Sequence, residues 1–293
     1  MEESAKNNWG RWGVDDEFGS LNLINSTTIL HSVDLVKQGR IISLAQPLGP
    51  ETGTPPHRNR IRRFMDRDAG DYALGARAPG GFCFAEDTIQ MSTHTGTHID
   101  ALSHVWRGAE MYNGYSRDLV RSTTGAQKLG ADKLKPVLTR GVLLNFCSDS
   151  GTPMGASAQI NAGDLIAAYE KASITPLPGD AVLIRTGWWP AMGSTEEYFQ
   201  CEPGLSEEGA DWLVDHAVAL VGADNYAIEV QPARSSSNFP VHLRLIHENG
   251  IPLVENLNLE EIARSEATTF LFILAPLALE GSTASPATPL AVL

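Results

Sequence analysis

Three histidines and an aspartate fall within eleven residues, in the run His94-Thr-Gly-Thr-His98-Ile-Asp100-Ala-Leu-Ser-His104, in a chain with eight histidines among 293 residues. Imidazole nitrogens and a carboxylate at such spacings suit a borderline divalent cation such as zinc or manganese, and the lack of thiolate leaves iron open too. One histidine alone reads most simply as a hydrogen-bonded core or surface residue. Three with an aspartate, around a glycine that permits close backbone approach, read as a metal site. His94 and His98 are four apart, the spacing of one helix face. Gly96 and the Thr95/Thr97 pair are poor helix formers, however. The preceding Asp87-Thr-Ile-Gln-Met-Ser92 alternates as a strand does, so the run belongs on a strand end entering a loop, with His98 and Asp100 pointing to one side. The helical metalloprotease pattern His-Glu-x-x-His is not met, because Thr95 occupies the glutamate position.

A catalytic site also needs ligands from elsewhere in the chain, and His242 and Glu255 are the candidates. Glu255 closes an apolar run, where a charge is costly unless paired or metal-bound. His247 is an alternative whose neighbours Glu248 and Asn249 suggest an exposed helix end.

The elements that must position these groups alternate. Ile29, Val33 and Val36, after a cap at Asn25 or Ser26, predict a first helix ended by Gly39, with a strand over Arg40–Leu48. Gly141–Phe146 reads as a buried strand, Ala162–Ala172 as a helix, and Asp180–Gly187 as the next strand. Glu207–Ala217 is a second long helix before the strand Val218–Asp224. His242–His247 is a third helix ended near Gly250, Ile251–Glu255 returns as a strand, and Ala267–Ala275 is a last long strand. This pattern predicts a single α/β domain over residues 1–293, with the strands crowded into 40–146 forming an additional β-rich layer. An N-terminal arm (1–25) carries Trp9, Trp12 and Phe18 without periodicity, so its rings must pack on the body or on a second subunit. Residues 49–80, rich in Gly, Pro, Arg and Asp, predict an irregular excursion of the kind that forms lids or interfaces.

Bulk properties narrow the partners to a small-molecule substrate. A net charge of −13 argues against nucleic acid and anionic membranes. Arg58, Arg60, Arg62, Arg63 and Arg67 run against that trend and read as a solvated loop or an ion-paired interface. Cys83, Cys147 and Cys201, odd in number and widely spaced, read as free thiols of a reducing compartment. With no apolar N-terminal stretch and no window of 18 apolar residues, a cytoplasmic protein is expected. No Gly-x-Ser-x-Gly elbow and no phosphate-binding glycine loop occurs.

The histidine run resembles the hallmark His-x-Gly-Thr-His-x-Asp-x-x-x-His of the cyclase-like metal-dependent hydrolases, a family that includes bacterial kynurenine formamidases and isatin hydrolases. Trp9-Gly-Arg-Trp-Gly-Val-Asp-Asp-Glu, Gly179-Asp-Ala-Val-Leu-Ile-Arg-Thr-Gly-Trp188, Gly250-Ile-Pro-Leu-Val-Glu-Asn-Leu257 and Gly281-Ser-Thr-Ala-Ser-Pro286 are also similar to segments of that family. The resemblance implies a swivelling β/β/α fold, with a mixed central sheet or β-barrel-like core and flanking helices. It implies His94, His98, Asp100, His242 and Glu255 as ligands of one or two Zn2+ or Mn2+ ions, with Asp100 and Glu255 able to bridge two. His104 falls at the family's proton-transfer position. Two departures are visible: Ser103 stands where many relatives have proline, and the His242–Glu255 gap is one residue longer than in the formamidases.

Such a site lowers the pKa of water to roughly 7 and polarises an acyl carbonyl. An amide leaving group then needs a proton, which a histidine titrating near neutrality delivers. The resemblance therefore implies hydrolysis of the C–N bond of a cyclic amide or imide or of an aryl formamide. A lactone or ester hydrolase using the same metal, and a non-catalytic metal-binding member, are the competing readings. Trp106, two residues from His104, is the first candidate to wall a planar substrate, followed by Trp9, Trp12 and Trp188; core packing is the competing reading for each. The resemblance, the arm and the arginine-rich loop together imply a homodimer or homotetramer.

Overall fold

Four apolar strands make the centre of the fold: Val137–Asn145, Ala181–Arg185, Leu220–Ala223 and Leu253–Glu255 lie side by side and parallel in chain order. The computed structural model describes residues 7–72, 81–193 and 195–293, so residues 1–6 of the expected arm and 73–80 of the expected excursion lie outside the described residues. In chain order the strands used below are β1 (Ile41–Ser43), β2 (Arg62–Arg67), β3 (Glu86–Gln90), β4 (His98–Asp100) and β5 (Val137–Asn145). They continue as β6 (Ala181–Arg185), β7 (Leu220–Ala223), β8 (Leu253–Glu255), β9 (Thr269–Leu274), β10 (Ala284–Pro286) and β11 (Leu290–Val292). Nine of them form one curled mixed sheet in the order β1-β11-β9-β5-β6-β7-β8-β4-β10, antiparallel on both flanks of the parallel centre.

Parallel strands need crossovers, and here helices supply them. The helices are α1 (Ser26–Val33), α2 (Ala162–Lys171), α3 (Trp188–Met192), α4 (Glu207–Asp215), α5 (Pro240–His242), which runs on into a π-helix (Leu243–Glu248), and α6 (Glu260–Arg264). Local chemistry fixes their starts. Asn25 accepts from the amides of Thr27 and Thr28, Asp164 accepts from the Asn161 amide, and Ser206 accepts from the Gly209 amide.

Alternation along the strands divides the interior in two. Val142, Leu144, Val182, Ile184 and Val221 pack on the side of Leu165, Tyr169 and Leu213 from α2 and α4. Leu143, Leu183, Leu220 and Val254 face the opposite way, against Ile42, Ile99, Phe270 and Phe272. Burial on both faces explains why these strands read as apolar runs.

Several expectations need correction. The strands of residues 40–146 make no separate layer: β1, β4 and β5 join the one sheet. Outside it lie a short pair, Val120–Arg121 with Gly125–Ala126, and the β2–β3 hairpin, exposed along its whole length, so the excursion expected to be irregular contains a strand. Helix α1 stops at Val33 because tight turns take over at Leu35 and Val36, whose amides bond to Ser32 and Val33. The strand expected over Arg40–Leu48 keeps three residues, followed by a single bridge from Ala45 to Leu257. The helix expected from His242 is one short turn that widens into a π-helix.

The arm packs on the body. Ser20 donates from its amide to the Gly250 carbonyl (2.8 Å) and from its hydroxyl to the Ala219 carbonyl (2.7 Å), bracing the segment that leads into β8. Gly19 has φ +56°, and a Cβ there would lie 2.1 Å from the Gly250 carbonyl oxygen, which is backbone and cannot swing aside. Gly19→Ala is therefore predicted to destabilise the protein by about 2–4 kcal/mol, combining left-handed strain with overpacking. Thermal denaturation checks this; an unchanged midpoint would show that the arm does not brace β8.

Candidate metal centre

Three-residue strands place the centre. β4 pairs antiparallel with β8 so that His98 stands opposite Glu255 and Ile99 opposite Val254. Ile99 and Val254 go into the hydrophobic core, and the alternation turns His98, Asp100 and Glu255 together to the other face. On its far side β4 is held by β10, whose Ala284 and Pro286 face Asp100 and His98. Immediately before β4, Gly96 adopts φ +63°, a left-handed turn that brings His94 back over the strand end.

Six side chains meet here. His98 Nε2 lies 3.4 Å from Asp100 Oδ1 and 3.3 Å from Glu255 Oε2. His94 Nε2 is 3.4 Å from Asp100 Oδ1, and His242 Nε2 is 3.2 Å from Glu255 Oε1 and 3.8 Å from Asp100 Oδ2. His104 Nδ1 is 3.0 Å from His94 Nε2, and its Nε2 is 4.0 Å from Asp100 Oδ2. His94, His98, His242 and both carboxylates are buried, whereas the His104 side chain is 26% exposed. Imidazole nitrogens away from the centre are fixed by acceptors: Gly96 O takes the His98 Nδ1 contact (2.8 Å) and Glu229 Oε1 the His242 Nδ1 contact (2.6 Å). Both rings thus turn Nε2 inward, as metal-ligating histidines do.

The six groups perturb one another strongly. Burial alone would raise Asp100, yet His104, His98 and His94 hold it far below the usual carboxylate range. Glu255 is lowered too, by His242 and His98, against burial and the repulsion of Asp100. Burial disfavours a proton on His98, but contacts with Asp100 and Glu255 lift it to about 9. His242 rises well above its ordinary value for the same reason, with Glu229 the main partner against burial. In contrast, burial drops His94 to about 3 despite the opposing Asp100 charge, leaving a neutral ring with a lone pair to give. Burial also lowers His104, with Asp100 pulling the other way.

A divalent ion fits these residues. His98 Nε2 and both Asp100 oxygens are buried with no hydrogen-bond partner, although each lies close to another polar atom of the cluster. Native interiors rarely leave such groups unsatisfied. Among the described residues, two sets of ligand atoms converge: His98, Asp100 and Glu255, and His94, Asp100 and His104. Asp100 belongs to both. His104 is therefore near enough to ligate.

A cavity of about 290 Å³ opens on the cluster, lined by His104, His242 and Glu255 with Val105, Tyr226 and Phe239. The Phe239 ring meets His242 edge-on at 5.4 Å. Glu202 accepts from the amides of Tyr226 and Ala227 and so fixes that wall. Trp106, 41% exposed, lines an outer cleft that shares His104, Val105 and Phe239. The other tryptophans expected at the substrate are elsewhere. Trp9 donates to the His247 carbonyl and meets that ring edge-on, Trp12 lies under the Arg11 guanidinium, and Trp188 is buried with its Nε1 on the Tyr198 carbonyl. His247, expected at an exposed helix end, is buried beneath Trp9 and outside the cluster.

Sequence reasoning passed over Glu229 and Arg58. Glu229 also accepts from the amides of Val241 and His242, so it seats the whole turn that carries His242. A carboxylate inside the apolar stretch Tyr226-Ala-Ile-Glu-Val230 was the available signal. Arg58 bonds the His94 carbonyl and lies over the Tyr226 ring at 5.3 Å.

The "Putative cyclase" family model matches residues 42–230, and the chain belongs to that family. It is 24% identical over 216 residues to the isatin hydrolase of Roseibium aggregatum, covering 71% of this chain and 75% of that one. It is 27% identical over 205 residues to the kynurenine formamidase of Bordetella petrii, covering 68% and 76%. Among solved structures, a novel cyclase superposes with TM-score 0.91 at 32% identity over 98% of this chain and 99% of that chain. A predicted metal-dependent hydrolase from Bacillus stearothermophilus shares the fold, with TM-score 0.52 at 21% identity over 86% and 97%.

Glu229→Gln keeps the shape beside His242 and removes the charge. It is predicted to weaken Zn2+ or Mn2+ binding roughly 10- to 100-fold, measured by competition with a chelator. Unchanged affinity would exclude His242 from the ligand set.

Proposed function

We propose that this protein is a metal-dependent hydrolase that cleaves the C–N bond of a small cyclic amide or imide or of an aryl formamide. The observation that carries the reading is the pair of buried Asp100 oxygens without hydrogen-bond partners, ringed by inward-turned histidine nitrogens at the floor of an aromatic-walled cavity. The likeness to an isatin hydrolase and a kynurenine formamidase supports C–N chemistry.

His94, His98, Asp100, His242 and Glu255 would hold the ion, which when bound supplies Lewis acidity toward a carbonyl and toward water. Tyr226, Phe239 and Val105 would hold a planar acyl group against that floor while excluding bulk water. His104 stands at the boundary, one ring nitrogen toward His94 and the other toward Asp100, with a quarter of its side chain open to solvent. That placement lets it exchange protons with water and deliver one to the departing nitrogen.

His104→Ala is predicted to retain bound metal and lose roughly 10²- to 10⁴-fold in turnover of a formamide or cyclic imide. Parallel elemental analysis and steady-state kinetics separate the roles. Loss of metal would make His104 a ligand; retained turnover would remove it from the reaction.

A further inference from the structure

Of the five arginines between residues 58 and 67, Arg60, Arg62, Arg63 and Arg67 are exposed, whereas Arg58 is half-buried and lines the cavity that holds His104, His242 and Glu255. Its guanidinium donates to the His94 carbonyl and covers the Tyr226 ring. Among the described residues no carboxylate pairs with it, and it stands on the same wall as His104. A guanidinium carries five N–H donors in a rigid fork suited to carboxylate. Fastening one carbonyl uses a single donor, a task that neutral side chains perform equally well. What remains is a fixed cation with idle donors on a substrate-sized wall.

From this juxtaposition we propose that Arg58 sets substrate specificity, by pairing with a carboxylate that the substrate carries apart from its scissile carbonyl. The inference rests on the hydrolase reading and narrows it to small, planar, anionic acyl compounds. Tyr226 and Phe239 take the ring, the metal floor takes the reacting carbonyl, and Arg58 takes the distant charge. The cavity of about 290 Å³ suits a singly substituted ring. An uncharged analogue leaves a half-buried cation unpaired, and a site built to bond a polar group discriminates strongly against a substrate that lacks it.

The test uses the zinc- or manganese-loaded full chain with 3- and 4-formamidobenzoate and the matching 3- and 4-formamidobenzamides, which differ in charge and hardly in shape. The readout is the ratio of kcat/KM for benzoate over benzamide, because comparing that ratio between proteins cancels intrinsic reactivity. In Arg58→Gln the ratio is expected to fall roughly 10- to 100-fold, with Arg58→Lys, which keeps the charge without the fork, in between. An equal ratio in the unaltered protein and in Arg58→Gln overturns the proposal and leaves the hydrolase reading standing. Calorimetric binding of the same four compounds supplies a readout independent of turnover. If none is hydrolysed, the formamide arm of the hydrolase reading fails, and the binding ratio still decides: its fall in Arg58→Gln supports a carboxylate reader, and its constancy overturns one.

Discussion

Two buried carboxylates, Asp100 and Glu255, on neighbouring three-residue strands are the constraint around which this molecule is organised. Removing a carboxylate from water costs several kcal/mol even after relaxation, and a second one close by adds repulsion. Apolar packing offers no compensation at that point, so the surroundings must. Four histidines turn nitrogens toward the pair, and Glu229 and the Gly96 carbonyl lock two of those rings from behind. The nine-stranded sheet, with cores on both faces, supplies the rigidity that keeps β4 and β8 in register against their mutual repulsion. A divalent ion held by these residues would resolve the conflict by supplying the positive charge that the two carboxylates lack.

Stiffness at the floor contrasts with adaptability at the rim. His98, Asp100 and Glu255 sit on strands of the main sheet, where side-chain directions are fixed by pairing. His94, His104 and Arg58 come from the turns and loops around it, and Tyr226 and Phe239 from the connection between β7 and α5. Such a division lets one metal chemistry serve different substrates as the loops change. It also explains why, of the histidines in the run, His104 is the one proposed for proton transfer. The His98 side chain is fully buried and that of His94 only 10% exposed, against 26% for His104, and a proton donor must be recharged from solvent.

Much of the site was legible because its chemistry is local. Three histidines, an aspartate and a glycine within eleven positions betray themselves without any tertiary information. Glu255 was legible as a charge closing an apolar run, and the parallel strands as apolar runs between helix caps. What escaped has a common physical cause. The strands β4 and β11 and the edge strands β1 and β10 are three residues each, too short for a period to show. Strand β2 buries neither face, and its Arg-Arg-Phe-Met-Asp-Arg run shows no apolar alternation, whereas its partner β3 was legible from the alternation after Asp87. Arg58 lies among four exposed arginines, and only tertiary structure turns it inward. Of the four tryptophans singled out, Trp106 alone lies in a cleft beside His104, since a large ring announces burial without saying against what.

Metal content per chain is the most direct test of the central claim. Protein purified, supplied with zinc or manganese and dialysed free of excess ion should retain one to two equivalents by elemental analysis, and Asp100→Asn should retain less. Two equivalents would mean that Asp100 and Glu255 bridge a pair of ions; one would mean a mononuclear site. Failure to retain either ion, or equal retention after Asp100→Asn, would contradict the account, because the buried carboxylates would then be balanced by histidine protons alone.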